Sequence, residues 1–216
     1  VKGISVPAAV EMIPDGASLM IGGFMGVGTP ERIIDELVRQ EKRDLTVIAN
    51  DSARPGVGIG KLIDNRSVAR LIVSHIGTNP ETQRQMIAEE IEVELVPQGT
   101  LAERVRAGGF GLGGVITATG VGTLVEEGKR TIEIEGKTYL IELPLRAAFA
   151  LIRAKRCDYK GNLDYSLTAR NFNPLMALSA DTVIAEAANI VPVGVISPDE
   201  VNTPGAVVDY VLQRAG

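Results

Sequence analysis

Apolar runs rich in β-branched residues recur along the chain at Leu19 to Ile21, Leu45 to Ala49, Leu71 to Ser74, Val93 to Val96, Phe149 to Arg153 and Thr182 to Ala185. Runs without polar alternation are the pattern of strands buried on both faces. Between several of them the apolar spacing changes to a helical one. Ile33, Ile34, Leu37 and Val38 fall on one side of a helix, while Glu31, Asp35, Glu36 and Arg39 fall mostly elsewhere. Strands alternating with helices predict an α/β fold with a largely parallel sheet flanked by helices. The stretch from Thr131 to Leu143 is different, since its alternation around Glu135-Gly136-Lys137 predicts an antiparallel hairpin. The sheet is therefore expected to be mixed.

Four polar residues each followed by proline, Thr29-Pro30, Asn79-Pro80, Asn173-Pro174 and Thr203-Pro204, read as helix starts. A side-chain oxygen there accepts from a first-turn N–H, and proline loses nothing at the first helical position. Such starts would set helix N-termini, with their partial positive charge, along one edge of the sheet. No internal repeat or Ser/Pro-rich linker interrupts the pattern, so residues 1–216 are expected to form a single domain.

A net charge of −5 opposes nucleic acid as a partner, because phosphate binding requires a contiguous basic face; Trp is absent, which leaves little for base stacking. One cysteine, Cys157, and one histidine, His75, make neither a disulfide nor a zinc site. No stretch approaches the about 20 apolar residues that cross a bilayer. The expectation is a cytoplasmic, soluble protein that contacts neither membrane nor nucleic acid and binds no metal.

The chemistry concentrates between Asp15 and Pro30, DGASLMIGGFMGVGTP, where a strand runs into Gly22, Gly23, Gly26 and Gly28 and then into a helix. Such a loop either packs a strand tightly against a helix or presents backbone N–H groups to a carboxylate, phosphate or developing oxyanion. A dinucleotide fingerprint counted from Gly26 requires glycine where Glu31 stands, and no Lys-Ser or Lys-Thr follows to make a P-loop.

At every defined place this segment is similar to the α-type signature of class I coenzyme A-transferases. The similarity extends through IANDS (Ile48 to Ser52), SHIGTNPE (Ser74 to Glu81), VPQGTLAERVRAGG (Val96 to Gly109), TATGVGT (Thr117 to Thr123) and ARNFNP (Ala169 to Pro174). The resemblance implies an open, isomerase-like α/β fold and a ping-pong transfer through acyl-glutamyl and glutamyl-CoA intermediates. It places the nucleophilic glutamate on a β-type partner, within a Ser-Glu-Asn-Gly motif that this chain lacks. No catalytic nucleophile is thus expected here, coenzyme A is a substrate rather than a resident cofactor, and the implied assembly is a heteromer of two α and two β chains. By the same resemblance Gly22, Gly23, Phe24, Met25, Gly26, Val27 and Gly28 bind CoA or the acyl carboxylate, with Phe24 and Met25 alternatively plugging the loop into the core. Asn50 and Gln98, each following a strand, orient the substrate carboxylate.

The other reactive side chains have plainer expectations. Glu126, Glu127 and Glu142 read as solvated turn or strand-edge charges, His75 as a structural residue beside the Gly77-Thr78 turn, and Cys157 as inert. Arg54, Lys61 and Arg66 either meet CoA phosphates or are scattered surface charge. Three alternatives stay open: a 3-oxoadipate transferase subunit, a sugar-phosphate isomerase of similar fold, and a noncatalytic ligand-binding module.

Overall fold

A computed structural model describes residues 1–212. The chain opens with β1 (Lys2–Ile4), α1 (Val6–Glu11), β2 (Ser18–Ile21), α2 (Glu31–Arg39), β3 (Leu45–Ile48), α3 (Gly60–Asp64), β4 (Val68–Val73), α4 (Pro80–Ile87), β5 (Glu92–Leu95) and α5 (Gln98–Gly109). It continues through β6 (Val115–Thr117), β7 (Arg130–Ile134), β8 (Lys137–Glu142), β9 (Ala147–Asp158), β10 (Leu163–Asp164), α6 (Asn173–Leu178), β11 (Ala180–Val191) and β12 (Tyr210–Leu212).

The large sheet runs β1-β12-β11-β9-β2-β3-β4-β5 with every neighbouring pair parallel, and β10 adds an antiparallel partner to β9. Successive side chains of a strand point to opposite faces. Leu19 and Ile21 of β2 accordingly join Val10, Ile33, Leu37 and Leu62 in one core, while Met20 joins Leu101, Val105, Met176 and Ile152 in another. Helices α1 to α3 cover the first face and α5 and α6 the second. The continuous apolar runs of β2, β3, β4, β9 and β11 are thus strands buried from both sides.

The hairpin forms as expected, with Glu135 and Gly136 both at positive φ, as a two-residue type I′ turn requires. It does not enter the large sheet; β6, β8 and β7 make a separate three-stranded sheet. That sheet is tied on by charge. Glu142 is buried against Lys129 at 2.6 Å and Arg104 at 3.8 Å, and Arg104 also meets Glu94 at 2.7 Å. The expectation of a solvated Glu142 is therefore corrected: two cations replace the water its carboxylate gives up.

Strand limits differ where charge interrupts the pattern. β9 and β11 are each 12 residues long, because Arg153, Lys155 and Arg156 on β9 and Glu186 on β11 lie in strands whose backbone pairing continues past the apolar run. β5 is an edge strand and leaves Leu95 half exposed, so it is not buried on both faces. Of the four polar-proline pairs, only Asn79 caps with its side chain, accepting from the N–H groups of Glu81 and Thr82. Pro30 itself stands at the cap of α2, Asn173 lies inside α6 and bonds elsewhere, and Thr203 pairs its hydroxyl with Tyr165 ahead of a short 3-10 turn. No helix among the described residues is long and apolar enough to cross a membrane.

Candidate functional site

Strand order reverses between β2 and β9. The strands that follow β2 in the chain, β3 to β5, lie to one side, and β9, β11 and β12 lie to the other. In open α/β sheets ligands gather in the crevice beyond the carboxyl ends of the strands at such a reversal. The glycine loop leaves β2 at this point, and the ends of β3, β4 and β5 carry Asn50-Asp51, Ser74-His75 and Gln98 beside it.

The loop is built from a tight turn. Phe24 and Val27 exchange two backbone hydrogen bonds of 2.9 Å, with Met25 at φ 50° and Gly26 at φ 86° between them. Gly22 is required for a different reason: a Cβ there would run into Oδ1 of Asn173. That carboxamide accepts from the Arg153 N–H at 3.0 Å and donates to the carbonyls of Gly28 at 3.0 Å and Ala169 at 2.9 Å. The loop's two ends are thus packed as a strand-to-helix joint. Phe24, Met25 and Gly26 are part-buried and Val27 is exposed. Beside it, Arg54 and Val57 close a second turn by a 3.1 Å bond, and the Val57 side chain abuts Gly26.

The two candidate carboxamides touch. Gln98 Nε2 donates to Asn50 Oδ1 at 2.6 Å, with Asn50 buried and Gln98 exposed. A third residue joins them that sequence reasoning did not single out. The buried Asp51 carboxylate accepts from Asn50 Nδ2 at 2.6 Å, from the Met25 N–H at 2.8 Å and from the Ala53 N–H at 2.8 Å. Asp51 lies within the IANDS segment, and a carboxylate immediately past a buried strand was the available signal. Thr78 braces the same region, donating to the Ala53 carbonyl at 2.9 Å.

The remaining candidates divide. His75 is exposed, its carbonyl accepts from the Ser52 N–H at 3.1 Å, and its ring lies against Gly77. The Cys157 thiol is buried, and desolvation pushes it up to about 11, so it holds its proton at neutral pH. Lys61 is taken by Glu31 and Asp35, and Arg66 by Glu90, whereas Arg54 sits exposed on the turn beside the glycine loop. On the β9 side of the loop a crevice of about 300 Å³, lined by Val27, Gly28, Arg153, Lys155, Leu167 and Ala188 among others, carries positive charges and no acidic side chain.

Glu186 of β11 reaches the loop's exit. It is buried, accepts from the Arg32 N–H at 3.0 Å and faces Arg153 at 3.9 Å, supplying the first-turn acceptor that Pro30 lacks. Burial raises its pKa above the usual 4.5, against the pull of Arg153 and the backbone N–H groups. The folded state therefore holds this proton more tightly than the unfolded chain. Its contribution is most favourable below pH 4.5 and is lost as pH rises through the folded value. Glu186→Gln cannot ionise, so its melting temperature is expected to rise relative to wild type between pH 4 and pH 7. A constant difference across thermal melts in that range counts against the buried-charge assignment.

A family model described as coenzyme A transferase matches residues 4–214. The acetate CoA-transferase subunit alpha of Escherichia coli (strain K12) is 56% identical over 211 residues, covering 98% of this chain and 96% of that one. The acetoacetyl-CoA:acetate/butyrate CoA transferase alpha subunit of Clostridium acetobutylicum is 51% identical over 200 residues, 93% of this chain and 92% of that one. Among solved structures, the acyl-CoA transferase of Escherichia coli O157:H7 in its thioester complex with CoA superposes with a TM-score of 0.88 at 24% identity. The match takes in 99% of this chain and 47% of that longer one, and it speaks for the fold.

Proposed function

The chain belongs to the coenzyme A transferase family, and on that premise we propose that it is the α-type half of a heteromeric enzyme moving CoA between a short-chain acyl-CoA and a carboxylic acid of the acetate or acetoacetate type. What supports this reading is a glycine turn and a carboxamide pair at one open sheet edge, where the neighbouring Asp51 and Glu186 carboxylates are both taken by backbone N–H groups. The glycine turn, Arg54 and Gln98 line the open carboxyl ends of β2 to β5, while Glu186 is enclosed and occupied.

In this reading a β-type partner closes over that edge and brings the attacking carboxylate. Its oxygen adds to the thioester carbonyl, CoA thiolate departs, and the resulting anhydride is opened by the thiolate to a glutamyl-CoA thioester with release of the first carboxylic acid. An incoming carboxylate then runs the steps backwards. No general base is required, because carboxylate and thiolate are already anionic. The work left to this chain is orientation and charge stabilisation. The Gly26 N–H, which the turn does not use, and the carboxamide of Gln98 are assigned to the developing oxyanion or the acid's carboxylate, and the cationic crevice suits an anionic CoA arm. The proposed assembly holds two α and two β chains in the cytoplasm, and residues 1–216 act as one domain.

The test is CoA transfer from a short acyl-CoA to acetate or acetoacetate by the chain co-expressed with a β-type partner carrying Ser-Glu-Asn-Gly. Within that enzyme Gln98→Ala is expected to cut turnover tenfold or more, the scale of one lost oxyanion donor. An unchanged rate removes Gln98 from the site, and absence of transfer by the wild-type pair removes the reading itself.

A further inference from the structure

The direction of the amide pair follows from one side chain. A carboxamide presents an acceptor on one side and a donor on the other, and within Asn50 and Gln98 alone either sense makes an equally good chain. Asp51 breaks the tie. Both Asp51 oxygens accept backbone N–H groups, so Asn50 turns Nδ2 toward it, which leaves Asn50 Oδ1 to face Gln98 and makes Gln98 enter with Nε2. The reverse sense would set Asn50 Oδ1 against an Asp51 oxygen, two acceptors face to face in a buried site. The backbone of Asn50 has no freedom to evade this, since its carbonyl accepts from both the N–H and the hydroxyl of Ser74, at 2.9 and 2.7 Å. Gln98 therefore keeps Oε1 and one N–H for the open side.

The same oxygen of Asp51 that takes Asn50 Nδ2 also takes the Met25 N–H, at the first of the two left-handed positions of the glycine turn. One buried carboxylate thereby ties together the ends of three strands, β2, β3 and β5. We propose that Asp51 is a positioning residue of the transfer reaction: it holds the glycine turn against the Asn50-Gln98 pair and decides which amide atoms that pair presents to the substrate. The assignment rests on the function proposed above.

The experiment replaces Asp51 in the assembled enzyme. Asp51→Asn keeps the shape but cannot accept on both sides: an NH₂ toward Met25 and Asn50 Nδ2 reverses the chain of amides, and an NH₂ toward the Ala53 N–H pushes apart the backbone that seats the pair. Turnover is expected to fall about 30-fold, equivalent to about 2 kcal/mol of barrier, while the KM for acyl-CoA stays within about threefold, because binding of the CoA arm does not depend on these amides. The double variant Asn50→Asp/Asp51→Asn restores a carboxylate to the pair, again an acceptor for Gln98 Nε2, but leaves the Met25 N–H facing an NH₂, so it is expected to regain about fivefold over the single one and not the whole loss. If Asp51→Asn fails to assemble, the double variant alone decides, with turnover within tenfold of wild type supporting the assignment and none overturning it. Wild-type kcat in Asp51→Asn, or a loss confined to KM, or no gain in the double variant, overturns it. An inactive wild-type pair instead sinks the functional reading and the assignment with it, whereas an active wild type with an equally active Asp51→Asn sinks the assignment alone.

Discussion

Intact-mass analysis of the assembled enzyme after mixing with acyl-CoA is expected to find the CoA adduct on the partner polypeptide and none on this one. The expectation comes from what this chain's glutamates already do. Glu186 takes first-turn N–H groups of α2 and faces Arg153; Glu31 is paired with Lys61; Glu142 is enclosed by Lys129 and Arg104. Glu94 lies between Arg104 and Arg70, which hold its pKa below the usual value even though burial opposes them. A nucleophile must approach the thioester carbonyl with a free oxygen, and a carboxylate locked by a cation or by helix N–H groups would first have to give up those bonds. The same reasoning predicts no turnover by the purified chain without a β-type partner. An adduct on this chain, or transfer by it alone, would end the division of labour proposed above.

Asn173→Asp is expected to have the largest effect on stability. The Asn173 side chain is fully buried and its three hydrogen bonds hold backbone in place: it accepts one backbone N–H and donates to two carbonyls that meet it from the glycine loop and from the segment before α6. Aspartate retains the acceptor but sets an oxygen against the carbonyls of Gly28 and Ala169. Leaving a buried charge so placed costs about 3–5 kcal/mol, and for a chain of this size each kcal/mol moves the melting temperature by roughly 2–4 °C. A fall of roughly 6–20 °C in a thermal melt is thus expected. Because the lost bond holds Gly28, the folded fraction should also lose transfer activity. A melting temperature within about 2 °C of wild type would mean that the loop is held by other contacts.

Much of this was legible along the chain. Continuous β-branched runs mark strands buried on both faces because each residue must satisfy a core on its own side, a local demand that leaves a local pattern. The hairpin at Glu135-Gly136 was equally plain, since a two-residue turn of this type needs left-handed backbone that few residues adopt. The segment from Asp15 to Pro30 carried the family, and Asn50 and Gln98 were placed beyond strand ends where the sheet brings them into contact.

Position along the chain could not supply pairing across it. Whether Glu142 is solvated depends on Arg104 and Lys129, and whether Asn173 caps its helix depends on Gly28, 145 residues away. Sequence determined which segments become strands, helices and turns, and which loop holds the glycines, because those choices rest on backbone geometry and nearest neighbours. Tertiary structure alone decided which charges are buried, that the hairpin stands apart from the large sheet, and that Asp51 gathers three strand ends, because a hydrogen bond's partner is chosen by proximity in space and by the cost of leaving a buried donor or acceptor unpaired.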